Sequence, residues 1–211
     1  MLNDKQINEI KEHLERAQNP LFYYDNDCDG LCSFLILRRY LRRGKGVAIR
    51  SFPDLNVQYA RKAHELNADY VFILDKPIIS KEFVDEVIRL GLPIVWIDHH
   101  PMQKVNKIKY FNSLMYGKIS KPTTHIMAEI TDDKDWIATL GCIFDFYIPE
   151  YLPKMVKKYP DLLINTKSPP DILYGTKFGE LIDIFYFNLK GQTADVKKAI
   201  KVLETIETPY E

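Results

Sequence analysis

The chain reads as an α/β protein, a mostly parallel sheet flanked by helices and followed by a helical C-terminal part. Two observations predict this. Short runs rich in β-branched and aromatic residues, LFYY, VAIRSF, DYVFILD and PIVWID, alternate with amphipathic stretches of helical length. The alternation is that of right-handed βαβ units, which build parallel sheets. Beyond about residue 120 the strand pattern gives way to helical periodicity.

Taken in order, Ile7, Ile10, Leu14 and Ala17 recur at helical spacing, and Asn19-Pro20 stops that helix. LFYY is the first strand. After Gly30, LCSFLILRRYLRRGKG predicts a helix with an apolar, buried first half and a basic second half that ends at glycine. There follow strand VAIRSF, a helix over residues 57–67, strand DYVFILD, a helix over 81–90, strand PIVWID and a further strand at 108–111. Helices are predicted over residues 122–131, 134–147, 150–158, 174–188 and 192–206. The segment 160–170, with NTKSPP, is expected to be a hinge or linker.

Composition narrows the partners. With 46% hydrophobic and 27% charged residues, the 211-residue chain is neither disordered nor a fibrous polymer. Basic and acidic residues both number 29, so no global charge advertises a nucleic-acid partner, and any binding charge has to be local. Three scattered cysteines, Cys28, Cys32 and Cys142, suit a reducing compartment better than a disulfide framework. The N-terminus is a charged amphipathic helix pattern rather than a signal peptide, and no apolar run approaches the ~18 residues of a membrane span. A cytoplasmic protein without membrane attachment is therefore expected.

Acidic residues gather at equivalent places in the pattern. Asp25, Asp27 and Asp29 follow the first strand, Asp75 ends VFILD, and Asp98-His99-His100 ends VWIDHH. In an open parallel sheet the carboxyl ends of the strands share one edge, which is where such folds place ligands. Singly, these residues suit solvated turns, a helix cap or a packed strand end. Together, without a neighbouring Lys or Arg to compensate, they would repel strongly unless a cation is present. Carboxylate with imidazole suits Mn²⁺, Mg²⁺ or Zn²⁺. Two such ions about 3.5–4 Å apart can hold a hydroxide and clamp a phosphate.

These residues carry a resemblance. The chain resembles the DHH phosphoesterase superfamily, and within it the RecJ-like single-strand exonucleases of archaeal type. DNDCDG is similar to the first motif, the Asp75 stretch to the second, DHH with Pro101 to the third, and DWIATLGCIFD, ending in Asp145, to the fourth. The resemblance implies two divalent ions, Mn²⁺ or Mg²⁺. Asp25 and Asp27 would serve one, Asp29, His99 and Asp145 the other, with Asp75 bridging. His100 would face the scissile phosphate and Asp98 would orient the histidines. Relatives often carry a histidine near Asp25, which implies a first ion of different affinity or identity here.

The implied protein is a hydrolase and nuclease of DNA repair, acting on single-stranded DNA or RNA or on short oligonucleotides, with replication or repair proteins as further partners. Residues 1–160 would form the catalytic domain, and 161–211 a helical extension toward a second, substrate-binding domain. That domain's glycine-rich motif has no counterpart here, since the sequence contains no GG. Rival expectations are a phosphodiesterase of short oligonucleotides or cyclic dinucleotides and a non-catalytic replication scaffold. His125 is read as a packed helical residue, and the basic run Arg38, Arg39, Arg42, Arg43 and Lys45 as a complement to the helix dipole. Tyr23, Tyr24, Phe34 and Tyr40 are read mainly as core, and the cysteines as small buried residues.

Overall fold

The structure, a computed structural model, describes residues 2–117 and 119–211. Helix α1 (Asp4–Arg16) opens with a reciprocal cap: the Asn3 side chain accepts the Gln6 N–H, and the Gln6 side chain accepts the Asn3 N–H, both at 3.0 Å. The chain continues through β1 (Pro20–Asp25), α2 (Cys28–Leu41), β2 (Lys45–Ile49), β3 (Asp54–Leu55), a 3₁₀ turn at Val57–Tyr59, α3 (Ala60–Glu65), β4 (Tyr70–Leu74) and β5 (Ile78–Ile79). Then come α4 (Lys81–Arg89), β6 (Ile94–Asp98), β7 (Lys109–Asn112), a 3₁₀ turn at Ser113–Tyr116 and α5 (Thr123–Thr131). The last helices are α6 (Trp136–Phe144), α7 (Leu152–Lys158), α8 (Pro169–Gly175), α9 (Lys177–Leu189) and α10 (Thr193–Leu203).

Five strands form one parallel sheet in the order β2-β1-β4-β6-β7, and β3 pairs with β5 in a separate two-stranded ribbon. Alternate residues of the three central strands enter different cores. Phe22, Tyr24, Phe72, Leu74, Val95 and Ile97 pack with α1, α2, α5, α6 and the later helices. Leu21, Tyr23, Val71, Ile73, Ile94 and Trp96 pack on the other face, beneath α3 and α4. Burial on both faces is why these strands are continuous apolar runs rather than alternating ones.

Several boundaries differ from those expected. Helix α2 starts before Gly30 because Asp27 caps it, its side chain accepting the Gly30 N–H at 2.9 Å. It ends at Leu41 with Arg42, not a glycine, in the left-handed conformation (φ 54°). The ribbon β3-β5 is too short to leave a periodic signal. The predicted helix 174–188 is two helices, since Thr176 is extended and caps α9 through Gly179 N–H. Residues 160–170 do not run free: Leu162 and Leu163 are buried in the main core, and α8 begins with prolines whose fixed φ suits a first helical turn. Among the described residues no helix is long and apolar enough to cross a membrane.

At Gly30 helix α2 comes very close to the backbone of β1. A Cβ there would lie 2.7 Å from the Asp25 nitrogen and closer still to the Asp25 carbonyl oxygen. Both are backbone atoms and cannot swing away. Gly30→Ala is expected to destabilise the fold by about 1–3 kcal/mol through overpacking, read as a lower denaturation midpoint with an unchanged slope.

Candidate metal centre

The acidic residues meet at the carboxyl edge of the sheet. Strand β1 has β2 on one side and β4 on the other, so the chain reverses its winding direction there and opens a crevice. Asp25 ends β1, Asp27 and Asp29 start α2, Asp75 follows β4, and Asp98-His99-His100 closes β6. Asp75 is held at φ 59°, a left-handed conformation that Asp tolerates better than most residues, and its N–H reaches Ile97 O at 3.0 Å.

His99 stands at the middle. Its Nε2 lies 3.2 Å from Asp75 Oδ1 and 3.6 Å from Asp29 Oδ2, while Nδ1 lies 3.5 Å from Asp145 Oδ2. Ser120 Oγ donates to the His99 carbonyl at 2.7 Å, so the 2.9 Å contact between Ser120 Oγ and His99 Nδ1 is satisfied by the Nδ1 proton. That leaves the Nε2 lone pair facing Asp29 and Asp75. Ser120 is a site residue that the sequence reading misses, although it lies just ahead of the KPTTHIMAEI helix segment; a single serine in a loop carries no pattern.

Asp29 is buried and pinned by the start of α5, its two oxygens accepting Thr123 N–H at 2.9 Å and Thr124 N–H at 2.7 Å. Thr123 Oγ1 donates to Asp75 at 3.2 Å. Asp98 is fully buried behind His100. It accepts the His100 N–H at 3.1 Å, the His100 Nδ1–H at 2.8 Å and the Asn112 side-chain N–H at 3.3 Å. Asp98 thus orients His100, while Ser120 orients His99.

Among the described residues three groups of side chains offer ligand atoms lying within 4.8 Å of one another: His125, Glu129 and Glu150, and two that share His99, namely Asp29, His99 and Asp145, and Asp75, His99 and His100. Oxygen anions with a neutral imidazole nitrogen fit a divalent ion such as Mn²⁺, Mg²⁺ or Zn²⁺. Asp25 and Asp27 belong to none of these groups among the described residues. The expectation that no cation stands near the first cluster is corrected by Lys76. Its Nζ is buried 2.9 Å from Asp25 Oδ1 and 2.8 Å from Ser51 O. Lys76 is remote from Asp25 in sequence; the β1-β4 register, Tyr24 opposite Leu74, is what brings the two together.

The charges strain against one another. Burial, then the charges of Asp29 and Asp27, push Asp75 well above the usual carboxylate range. Burial and Asp29 raise Asp27 to about 6, and burial with Asp29 and Asp27 raises Asp145 to about 7. Burial lowers His99 against the pull of Asp29, which favours the neutral, ligating form. For His100 burial acts downward, but the hydrogen bond and charge of Asp98 outweigh it and the net shift is upward.

Other residues of interest point elsewhere. His125 is buried, with Nε2 3.0 Å from Glu150 and its ring against Tyr147 and Tyr151. Arg39 donates to Leu203 O and Ile206 O, Arg43 to Ala17 O and Leu14 O, and Arg38 pairs with Glu204 at 3.4 Å. The basic end of α2 therefore clasps α1 and α10. Tyr23, Tyr24 and Phe34 are core, Tyr40 is exposed, and all three cysteines are buried and free.

The N-terminal domain of the DHH family matches residues 21–165. The chain belongs to that family. Among solved structures, this DHH chain is similar to RecJ in complex with Mn²⁺ from Thermus thermophilus, at 13% identity and TM-score 0.57, with 94% of this chain and 36% of that one covered. It is also similar to an exonuclease RecJ bound to manganese (11%, TM-score 0.58, 94% and 63% covered) and to CDC45 from Entamoeba histolytica (17%, TM-score 0.50, 99% and 41% covered). The chain thus spans between about a third and two thirds of these relatives, and at such identities the likeness is one of fold. Comparison with curated protein sequences gave no match.

A pH dependence follows. In the folded, metal-free chain Asp27 and Asp145 titrate near 6 and 7, against about 4 when unfolded. Between those values the folded state holds the extra protons, so its stability falls as pH rises. Burial lowers His13, His99 and His125, whose contribution to stability rises with pH over the lower part of this interval, so the test compares the metal-free wild type with Asp145→Asn. From pH 5 to pH 8 the wild type is expected to lose melting temperature relative to the variant, and equal pH profiles would contradict the assignment.

Proposed function

We propose that this DHH chain is a metal-dependent phosphoesterase that hydrolyses phosphodiester bonds in single-stranded nucleic acid, as a RecJ-like exonuclease of archaeal type. The observation that carries this reading is the gathering of Asp29, Asp75 and Asp145 around His99, in two groups that share its ring, one of which includes His100. A divalent ion there, Mn²⁺ or Mg²⁺, would lower the pKa of a water nucleophile and neutralise phosphate charge. Asp25 and Asp27 are the residues the family resemblance offers to a second ion, and Lys76 competes for that place.

The protein's own residues supply orientation and a proton. Asp98 holds the Nδ1–H of His100, so Nε2 is the atom free to meet a phosphate oxygen. The raised pKa of His100 keeps Nε2 protonated further toward neutral pH, ready to donate a hydrogen bond to developing negative charge. The backbone of α5 fixes Asp29, and Thr123 steadies Asp75. Family resemblance further suggests 5′ to 3′ polarity and a cytoplasmic role in DNA repair beside replication or repair proteins.

A second reading, hydrolysis of very short oligonucleotides or cyclic dinucleotides, is favoured by one observation. Arg39 and Arg43 are spent on backbone carbonyls instead of forming a track for a long phosphate backbone. A non-catalytic scaffold is disfavoured because the acids and both histidines are present and assembled.

The deciding experiment offers a 5′-labelled single-stranded oligonucleotide and a dinucleotide, each as DNA and RNA, with Mn²⁺, Mg²⁺ or chelator. Metal-dependent loss of the long strand supports the exonuclease, and cleavage of the dinucleotide alone supports the second reading. Asp75→Asn, which tolerates the left-handed backbone, is expected to reduce hydrolysis to background while preserving the fold. Asp98→Asn is expected to lower kcat by about 10- to 100-fold, as loss of an orienting partner does. Wild-type turnover in either variant would refute the assigned role.

A further inference from the structure

The strongest feature outside the residues already assigned is a fixed cation inside the acidic cluster. Lys76 is fully buried (0% exposed), a rare state for lysine unless it is paired. Its ammonium is chelated by Asp25 Oδ1 at 2.9 Å and Ser51 O at 2.8 Å. Strand β1 contributes Asp25, the segment after β2 contributes Ser51, and the segment after β4 contributes Lys76, so the ammonium ties three adjacent strand ends at the crevice. Consecutive residues part here: Asp75 turns to His99 and Lys76 to Asp25.

We propose that the Lys76 ammonium takes the place of the second divalent ion, so that this chain binds a single divalent ion, among Asp29, Asp75, His99 and Asp145. The inference rests on the metal-dependent reading above and narrows it. An ion bound to Asp25 Oδ1 at about 2.1 Å would lie no more than about 5 Å from Lys76 Nζ, given the 2.9 Å pair. Like charges that close are strongly repulsive in a buried setting. The other acid required, Asp27, already uses Oδ1 to cap α2. On the outer side the ring of Phe52, itself 83% exposed, lies 6.0 Å from Nζ, which adds a favourable contact for the ammonium. The position is thus built around a side-chain ammonium that is covalently tied to the chain.

The test counts ions rather than turnover. The metal-stripped wild-type chain is titrated with Mn²⁺, with bound metal quantified and its electron paramagnetic resonance recorded. One ion per chain with the uncoupled six-line spectrum of isolated Mn²⁺ is expected. Two ions per chain with an exchange-coupled spectrum overturns this proposal and leaves the metal-dependent reading intact. No bound ion at all overturns both. Lys76→Met, which keeps the apolar stem and removes the charge, is expected to admit a second ion and the coupled spectrum; a single ion in that variant also overturns the proposal. Should it fail to fold, Asp25→Asn serves instead. It is expected to retain one ion with Kd changed by less than about threefold, and loss of that ion would make Asp25 a ligand.

Discussion

Mutual repulsion among carboxylates crowded at one sheet edge is the constraint around which the structure is arranged. Asp25, Asp27, Asp29, Asp75, Asp98 and Asp145 converge from separate parts of the chain, and burial with the charge of Asp29 raises the pKa of Asp27, Asp75 and Asp145. Two unit charges 4 Å apart interact by about 4 kcal/mol at the effective dielectric of a protein surface, so a handful of such pairs rivals the net stability of a domain. Most of these acids are correspondingly supplied with a positive partner: the α5 amides for Asp29, His100 for Asp98, Lys76 for Asp25, and the start of α2 for Asp27. Asp75 and Asp145 receive the least compensation, and both lie against His99. The residual negative charge is concentrated where an exchangeable cation would bind.

This arrangement explains the dependence of the site on the helical half of the chain. The start of α5 supplies the amides that hold Asp29, and the end of α6 supplies Asp145. Gly141 on α6 allows the close approach: a Cβ there would be 2.9 Å from the Cys32 Cβ of α2 and from the Thr124 Cβ of α5. Three helices therefore meet with almost no side chain between them, directly behind the acids. The later helices extend the same core, with Phe178, Ile182 and Phe185 of α9 buried in it and Trp136 of α6 edge-on to Phe185. The sheet offers most of the acids and both histidines, and the helical layer holds the acids against their own repulsion.

Much of this is legible in the sequence. Strands buried on both faces leave continuous apolar runs, so the sheet can be read from LFYY, VFIL and IVWID, and an open parallel sheet has one ligand-bearing edge. What escapes the sequence depends on register or on single residues. Lys76 follows Asp75 in the sequence, yet its pairing with Asp25 exists only because β1 and β4 are adjacent and in parallel register. Ser120 and Thr123 act through one hydroxyl or one backbone N–H, which no periodicity announces. The helix break at Thr176 and the start of α2 turn on side-chain caps, which outweigh the expected glycine and proline signals.

The difference between a fixed and an exchangeable cation has a physical consequence. A divalent ion must be captured from solution by deprotonated ligands, so its charge comes and goes with pH and metal supply. A lysine built into the strand end stays attached to the chain and paired with Asp25 whatever the metal supply. It also carries half the charge and, being buried, cannot coordinate a phosphate oxygen. A centre built from one of each would keep the edge of the sheet assembled when metal is scarce, because the β1, β2 and β4 ends remain tied through Asp25, Ser51 and Lys76. Transition-state charge would then fall on the remaining ion and on His100, whose proton Asp98 is placed to retain. The hydrogen bond between Asp98 and His100 would in such a centre take on electrostatic work that a second ion would otherwise share.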